Sequence, residues 1–126
     1  MDANGDPVPL AVGDTVSSKK VIFVPSPNYG GTSATVLTDT ALSVGVWNHI
    51  AFDVNSSTDV VNTYINGVLD KTASGSETYT TGFEKLGWNG GSHYLGGDMA
   101  HVAFYNRQLS ATEVLQNYNA MKGRFE

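Results

Sequence analysis

The stretch "VVNTYINGVLDKT", Val60–Thr72, contains two β-prone runs joined by Asn-Gly. A two-residue type I′ turn needs positive φ at both central residues, which Asn and Gly tolerate better than other residues. The stretch therefore predicts a β-hairpin that turns at Asn66 and Gly67. Cross-strand pairs next to a turn fix the register of a hairpin. The residues expected to pair across this turn are Tyr64, Ile65, Val68 and Leu69.

Outward from this hairpin, short β-prone runs alternate with turn-prone clusters such as "SPNYGG", "NSSTD", "SGSET" and "WNGGS". The runs predict strands near residues 20–25, 33–38, 46–54, 60–65, 68–73, 82–87, 93–96 and 99–105. Short strands at this spacing are typical of an all-β sandwich or barrel. Residues 1–18 are rich in Asp, Pro, Gly and Ser, and we interpret them as an N-terminal arm or edge segment. The β domain then covers residues 19–126.

One helix is predicted near the end of the sequence, in "LSATEVLQNYNAMKG". Ser110 is an N-cap residue with Glu113 three positions later, which completes a capping box. Gly123 is expected to end the helix in the left-handed conformation. A helix this short is not stable alone, so it must dock on the sheet. Its apolar stripe consists of Val114, Leu115, Tyr118 and Met121.

Composition and charge exclude several classes of protein. The 126 residues fit one domain, and 15% charged residues with 40% hydrophobic residues are typical of a folded globular chain. A net charge of −5 disfavours nucleic acid as a partner, because phosphates would be repelled. The sequence has no cysteine, hence no disulfide or thiolate site. No signal peptide, transmembrane segment or cationic amphipathic helix is visible, so we expect no membrane partner.

Three segments carry a resemblance to a known family. They are "LSVGVWNHIAFDV", "NTYINGVLDKTASG" and "YLGGDMAHVAFYNRQLSATEVLQNYN". In this order and spacing they resemble the laminin G-like branch of the concanavalin A-like lectin/glucanase superfamily, over about residues 42–124. The resemblance implies an antiparallel jelly-roll β-sandwich with a short C-terminal α-helix. The ending "VLQNYNAMKGRF" is also similar to module ends in phage and environmental virus structural proteins.

The same resemblance bears on calcium. Many relatives place an Asp-Glu pair in the closing strand, where this sequence has Ala100 and His101, with the acid at Asp98 instead. This departure disfavours a calcium site at this strand. The N-terminal "DANGDP" is a second calcium alternative, but an EF-hand loop counted from Asp2 would need Gly and an acid where Pro7 and Gly13 stand. We predict no metal and no cofactor.

Catalytic patterns are missing from the sequence. Glycoside hydrolysis needs two carboxylates across one cleft, and glucanase relatives supply them from one strand as "ExDxxE". Neither that pattern nor the "GxSxG" of serine hydrolases occurs. We therefore predict no catalytic residue and a protein that is not an enzyme.

The loop "GWNGGSHYLGG" offers the side chains that a sugar site uses, which are aromatic rings and planar polar groups. His93 is the histidine expected to be free for a ligand, whereas His49 and His101 alternate with apolar residues in predicted strands and are expected to be packed and hydrogen-bonded. The alternative is that the glycines serve ordinary β-turns and that the tryptophan is buried. The candidate glycan-binding residues are Trp88, Asn89, His93 and Tyr94.

Two functions of different class follow from these observations. The first is a non-catalytic binding and assembly module, namely a virion structural or capsid decoration protein, which would meet other chains of a particle or self-associate. It would be located in a virion or displayed on a surface. The alternative is a lectin-like carbohydrate-binding module with glycans as partners. A fragment of a glycoside hydrolase ranks third.

Overall fold

The computed structural model describes residues 11–12, 21–23, 36–55, 57–74 and 95–125. In these ranges the chain is mostly β, with two three-stranded antiparallel sheets and one C-terminal helix. The elements are β1 (Ala11–Val12), β2 (Val21–Phe23), β3 (Val36–Leu37), β4 (Ile50–Asn55), β5 (Val60–Ile65), β6 (Val68–Ser74) and α1 (Ala111–Lys122).

The first sheet has the strand order β1-β2-β3. Its centre is β2, where Val21 is fully buried. The Val21 N–H donates to the Thr38 hydroxyl at 3.0 Å, and the Thr38 N–H donates to the Val21 carbonyl at 3.0 Å. The buried Thr38 side chain thus satisfies a strand group that would otherwise lack a partner, and it extends the sheet beyond β3.

The second sheet has the order β4-β5-β6, and its β5–β6 hairpin confirms the prediction from the Asn-Gly pair. Asn66 and Gly67 have φ values of 51° and 78°, as a type I′ turn requires. Tyr64 pairs with Leu69 and Ile65 with Val68, in the expected register.

A β-bulge changes this register two residue pairs beyond the turn. Thr63 pairs with Lys71 while Tyr64 pairs with Leu69, so Asp70 is the extra residue on β6. The Asp70 carboxylate accepts hydrogen bonds from the Asp39 and Thr40 N–H groups at 2.6 and 3.0 Å. The bulge thereby ties the segment that leaves the first sheet to the edge of the second.

The two faces of the second sheet differ in chemistry. One face, which we call the apolar face, carries a cluster around the fully buried Val61. The residues packed against Val61 are Phe52, Val54 and Ala73. On the other face, which we call the polar face, Asp53, Asn62 and Thr72 lie opposite one another on the three strands. Alternation along each strand produces this separation.

Helix α1 begins as predicted, with a complete capping box. The Glu113 N–H donates to the Ser110 hydroxyl at 3.2 Å, and the Ser110 N–H donates to the Glu113 carboxylate at 2.8 Å. Arg107 adds an ion pair with Glu113 at 2.6 Å. The predicted left-handed end is wrong, because Gly123 has φ −66° and ψ −6°. The chain continues in tight turns, with the Arg124 N–H donating to the Met121 carbonyl.

The helix docks against the β5–β6 turn. A Cβ placed on Gly67 would lie 2.9 Å from side-chain atoms of both Leu115 and Tyr118, so glycine permits this close approach. Val114 is buried, whereas Leu115 is exposed and is the member of the predicted apolar stripe that does not bury. Beyond the helix, the Phe125 ring lies 5.2 Å from the Trp47 ring.

Two predicted strands are corrected by the structure. Residues 99–105 are described without strand structure, and residues 46–49 lead into β4 without belonging to it. Alternating apolar residues predict a strand, but a strand also needs a ladder of backbone hydrogen bonds, and none pairs residues 99–105 among the described residues. The predicted strand at 82–87 and residues 93–94 of the strand predicted at 93–96 lie outside the described residues, whereas residues 95–96 are described without strand structure.

Candidate functional site

The four residues predicted to bind glycan, Trp88, Asn89, His93 and Tyr94, lie outside the described residues. Their role stays a prediction from sequence. Within the described ranges, a different set of polar side chains is brought together by the fold.

That set crosses the polar face of the second sheet as a continuous chain of hydrogen bonds. The Thr72 hydroxyl on β6 donates to the Asn62 side-chain oxygen on β5 at 2.8 Å. The Asn62 amide in turn donates to Asp53 Oδ2 on β4 at 3.3 Å. We call Asp53, Asn62 and Thr72 the polar row.

The polar row runs from solvent into the protein. Thr72 is exposed, Asn62 is half-buried, and Asp53 is only 8% exposed. At the inner end, Asp53 Oδ1 is buried with no hydrogen-bond partner. A ligand can therefore reach the polar row at Thr72 on β6, whereas Asp53, at the other end of the row, is buried within the protein.

The hydrogen-bond directions determine what the outer part of the row can bind. Because the Thr72 hydroxyl donates its hydrogen to Asn62, the hydroxyl oxygen is left to accept a hydrogen bond from a ligand. The Asn62 amide keeps a second N–H that can donate. The row thus offers an acceptor beside a donor in fixed geometry, which matches a ligand hydroxyl group, because a hydroxyl both donates and accepts.

Tyr64 lies on the same face as Asn62, two residues further along β5. Its side chain is buried, and burial followed by the negative charge of Asp53 raises the pKa of its phenol. A ring this buried cannot stack on a sugar, so Tyr64 is a packing residue beside the polar row and not a ligand contact.

The polar row was missed by sequence reasoning for a specific reason. A regular two-residue hairpin at Asn66-Gly67 would place Lys71 opposite Asn62. The bulge at Asp70 moves the pairing by one residue and brings Thr72 opposite Asn62 instead. Alternation signals the polar face, but nothing in the composition of β6 identifies the bulge.

The described histidines differ from their predicted roles. His49 is half-buried with its ring 5.9 Å from the Tyr118 ring, but its Nδ1 is buried with no hydrogen-bond partner. The expectation that His49 is packed holds, while the expected hydrogen bonding fails at Nδ1. His101 is exposed, so the prediction of a packed strand residue is wrong there.

Within residues 11–12, 21–23, 36–55, 57–74 and 95–125, no group of three or more His, Cys, Asp or Glu side chains could hold a metal ion. Over the same ranges, α1 is the helix present, and it lacks the length and apolar character needed to cross a membrane.

Comparisons with known proteins give one family and one solved structure. Residues 4–115 match a family described as belonging to the concanavalin A-like lectin/glucanases superfamily. The chain is also similar to the 2.1 Å crystal structure of an S-layer domain-containing protein from Clostridium thermocellum ATCC 27405, with 22% sequence identity and a TM-score of 0.48. That similarity covers 94% of this chain, which spans 65% of the solved one. No match was found among curated proteins.

Proposed function

Because the chain belongs to the concanavalin A-like lectin/glucanases superfamily, we propose that it is a non-catalytic module that binds carbohydrate. We propose further that its two antiparallel sheets are the layers of a jelly-roll β-sandwich. The superfamily contains both lectins and glucanases, so membership alone does not separate binding from hydrolysis. The feature that supports binding is the polar row.

The polar row supports carbohydrate as the ligand through its hydrogen-bond pattern. Sugar hydroxyls donate and accept at once, and Thr72 and Asn62 present an acceptor and a donor side by side. The sheet fixes both groups before any ligand arrives, so little side-chain entropy is lost on binding. The predicted ring contacts of Trp88 and Tyr94 would add an aromatic surface of the kind that stacks on sugars.

A glycan array tests the proposal. The wild-type protein should bind at least one class of glycan, and Thr72→Val should weaken that signal by about tenfold, the equivalent of one hydrogen bond. The matched control is Thr112→Val, which removes an exposed hydroxyl from α1 and should leave binding unchanged. If no glycan binds the wild type, or if Thr72→Val binds as the wild type does, the polar row is not a carbohydrate site.

The same samples test the absence of catalysis and of a cofactor. We expect no reducing ends to be released from any glycan that binds, and we expect binding to persist after treatment with EDTA. Release of reducing ends would reassign the protein to the hydrolases of the superfamily, and loss of binding in EDTA would reveal a metal requirement.

A second candidate function, assembly with other protein chains, is favoured by an exposed apolar segment. Residues 95–105 carry several large apolar side chains on the surface, among them Met99, Val102 and Tyr105, the last 54% exposed. Large apolar groups grouped on a surface are typical of protein interaction sites. A virion structural or decoration protein, or another surface-displayed module, would use such a segment against its neighbours or against a second copy.

Mass in solution distinguishes the two candidates. An assembly module should self-associate at micromolar concentration, and Val102→Glu should return it to the monomer, whereas Gln108→Glu at the nearby surface should not. A monomeric wild type that still binds glycan would favour the carbohydrate-binding module alone.

A further inference from the structure

His49 is held beside the β5–β6 turn by a pair of hydrogen bonds to one residue. The His49 N–H donates to the Asn66 side-chain oxygen at 2.9 Å, and the Asn66 N–H donates to the His49 carbonyl at 2.8 Å. The Asn66 amide also donates to the Asn48 side-chain oxygen at 3.4 Å. The backbone of His49 is therefore fixed by the turn itself, which sets where its imidazole starts from.

The imidazole occupies the junction between this turn and α1. Its ring lies 5.9 Å from the Tyr118 ring of the helix, and the next turn residue, Gly67, closely approaches Leu115 and Tyr118. His49 Nδ1 is buried there without a hydrogen-bond partner. A proton on this nitrogen would be a buried donor with no acceptor, which costs free energy.

The charges around His49 add to this cost. On α1, the Tyr118 ring packs against the imidazole. The Lys122 ammonium lies 5.5 Å from the centroid of that Tyr118 ring. His101, in the 95–105 segment, repels a positive charge on His49, and Asp53, further along β4, is hydrogen-bonded to Asn62. Burial, and then the positive charge of His101, lower the pKa of His49 below its usual 6.5.

We propose that His49 is an acid-sensitive switch for the C-terminal helix: α1 leaves the β5–β6 turn when the imidazole is protonated and returns when it is neutral. Local opening is the cheapest response, because it exposes the imidazole to water while β4, β5 and β6 stay paired. Among the described strands, α1 contacts chiefly β6 next to its turn, and the pairing of β4, β5 and β6 with one another does not involve α1.

The direction of the pH dependence follows from linkage. The docked state holds a proton on His49 less readily than the open state. Docking is therefore complete above about pH 6.5, the ordinary pKa of histidine, and weakens as the pH falls below it toward the lowered pKa of the docked state. Below that lowered pKa the effect levels off.

Amide hydrogen exchange of the whole chain, followed by NMR at about pH 7.5 and about pH 5, tests the proposal. Protection factors of α1 amides should fall on acidification, by about tenfold for each unit by which docking lowers the His49 pKa. Protection factors of β5 amides should stay unchanged. Equal protection of α1 at both pH values would overturn the proposal.

Two variants assign the effect to His49. His49→Phe keeps a ring at the junction but cannot be protonated, so its α1 protection should not respond to pH. His101→Gln removes the neighbouring charge and should move the midpoint to higher pH, a shift that a purely structural role of His101 would not produce. Asp59→Asn, in the turn between β4 and β5 at the end of these strands opposite Asn66, is the control and should behave as the wild type. If His49→Phe does not fold, an unshifted midpoint in His101→Gln, or an NMR titration of the His49 ring at its usual pKa, would still overturn the proposal.

Discussion

Gly67 is the residue on which the docking of α1 depends most directly. It has positive φ, and a Cβ there would lie 2.9 Å from the Leu115 and Tyr118 side chains and 3.1 Å from Tyr118 Cβ. Leu115 can turn away because it is exposed, but the Tyr118 Cβ is fixed to the helix backbone. Alanine at this position would therefore have to move the helix.

We predict that Gly67→Ala lowers the free energy of unfolding by about 2–4 kcal/mol, since left-handed strain adds to overlap. Gly45→Ala is the matched control, because Gly45 also has positive φ (79°) but has open space around its Cβ position. It should cost only the strain, about 1–2 kcal/mol. Urea unfolding midpoints measure both, and equal losses in the two variants would mean that α1 does not press on Gly67.

Among the elements, α1 depends on its first turn. Ser110→Ala removes the hydroxyl that accepts from the Glu113 N–H and should cost about 1 kcal/mol. Ser74→Ala, at the exposed end of β6, is the control and should be close to neutral. An unfolding midpoint that does not change in Ser110→Ala would show that the start of α1 adds nothing to global stability.

Acid should weaken the same turn in a second, lower pH range. The hydrogen bond from Arg107, and then that from the Ser110 N–H, lower the pKa of Glu113 from 4.5 to about 2. Because the folded pKa is the lower one, the stabilisation is complete above about pH 4.5 and is lost as the pH falls toward 2. Glu113→Gln should abolish this step in a circular dichroism titration. A step that persists in Glu113→Gln would belong to another group.

The elements also show which features the sequence can predict. The hairpin was predictable because Asn66 and Gly67 specify a turn by their own backbone preferences. The capping box was predictable because the side chains of Ser110 and Glu113, three residues apart, bond each other's backbone N–H groups. The strand expected at 99–105 was wrong because its alternation says nothing about a pairing partner. Gly123 can adopt the left-handed conformation but does not have to, and the helix ends in tight turns instead.

At the scale of the whole molecule, β1 is an edge strand of the first sheet and pairs with β2. It lies within residues 1–18, the segment interpreted as an arm or edge. We predict that removal of residues 1–18 leaves the chain folded but exposes the edge of β2, which promotes pairing between copies. Removal of residues 1–8 keeps β1 and should not. Sedimentation equilibrium compares the two forms. An unchanged mass, or unfolding of the shorter form, would contradict this role for β1.

The candidate site shows why a binding surface is harder to predict than a fold. Asp53, Asn62 and Thr72 are separated along the chain and come together only through pairings that include a bulge. The prediction of a glycan loop, in contrast, rests on residue type alone. Residue type suggests the class of ligand, whereas register decides which side chains can act on it together.

Carbohydrate binding at the polar row can be tested at the level of single residues. The measurement is an NMR titration of the whole chain with the glycan that gives the strongest array signal. We predict chemical shift changes at the Asn62 side-chain amide and at the backbone of Thr72, with the amides of α1 unchanged. Saturating glycan that leaves the signals of Asn62 and Thr72 unmoved would contradict it.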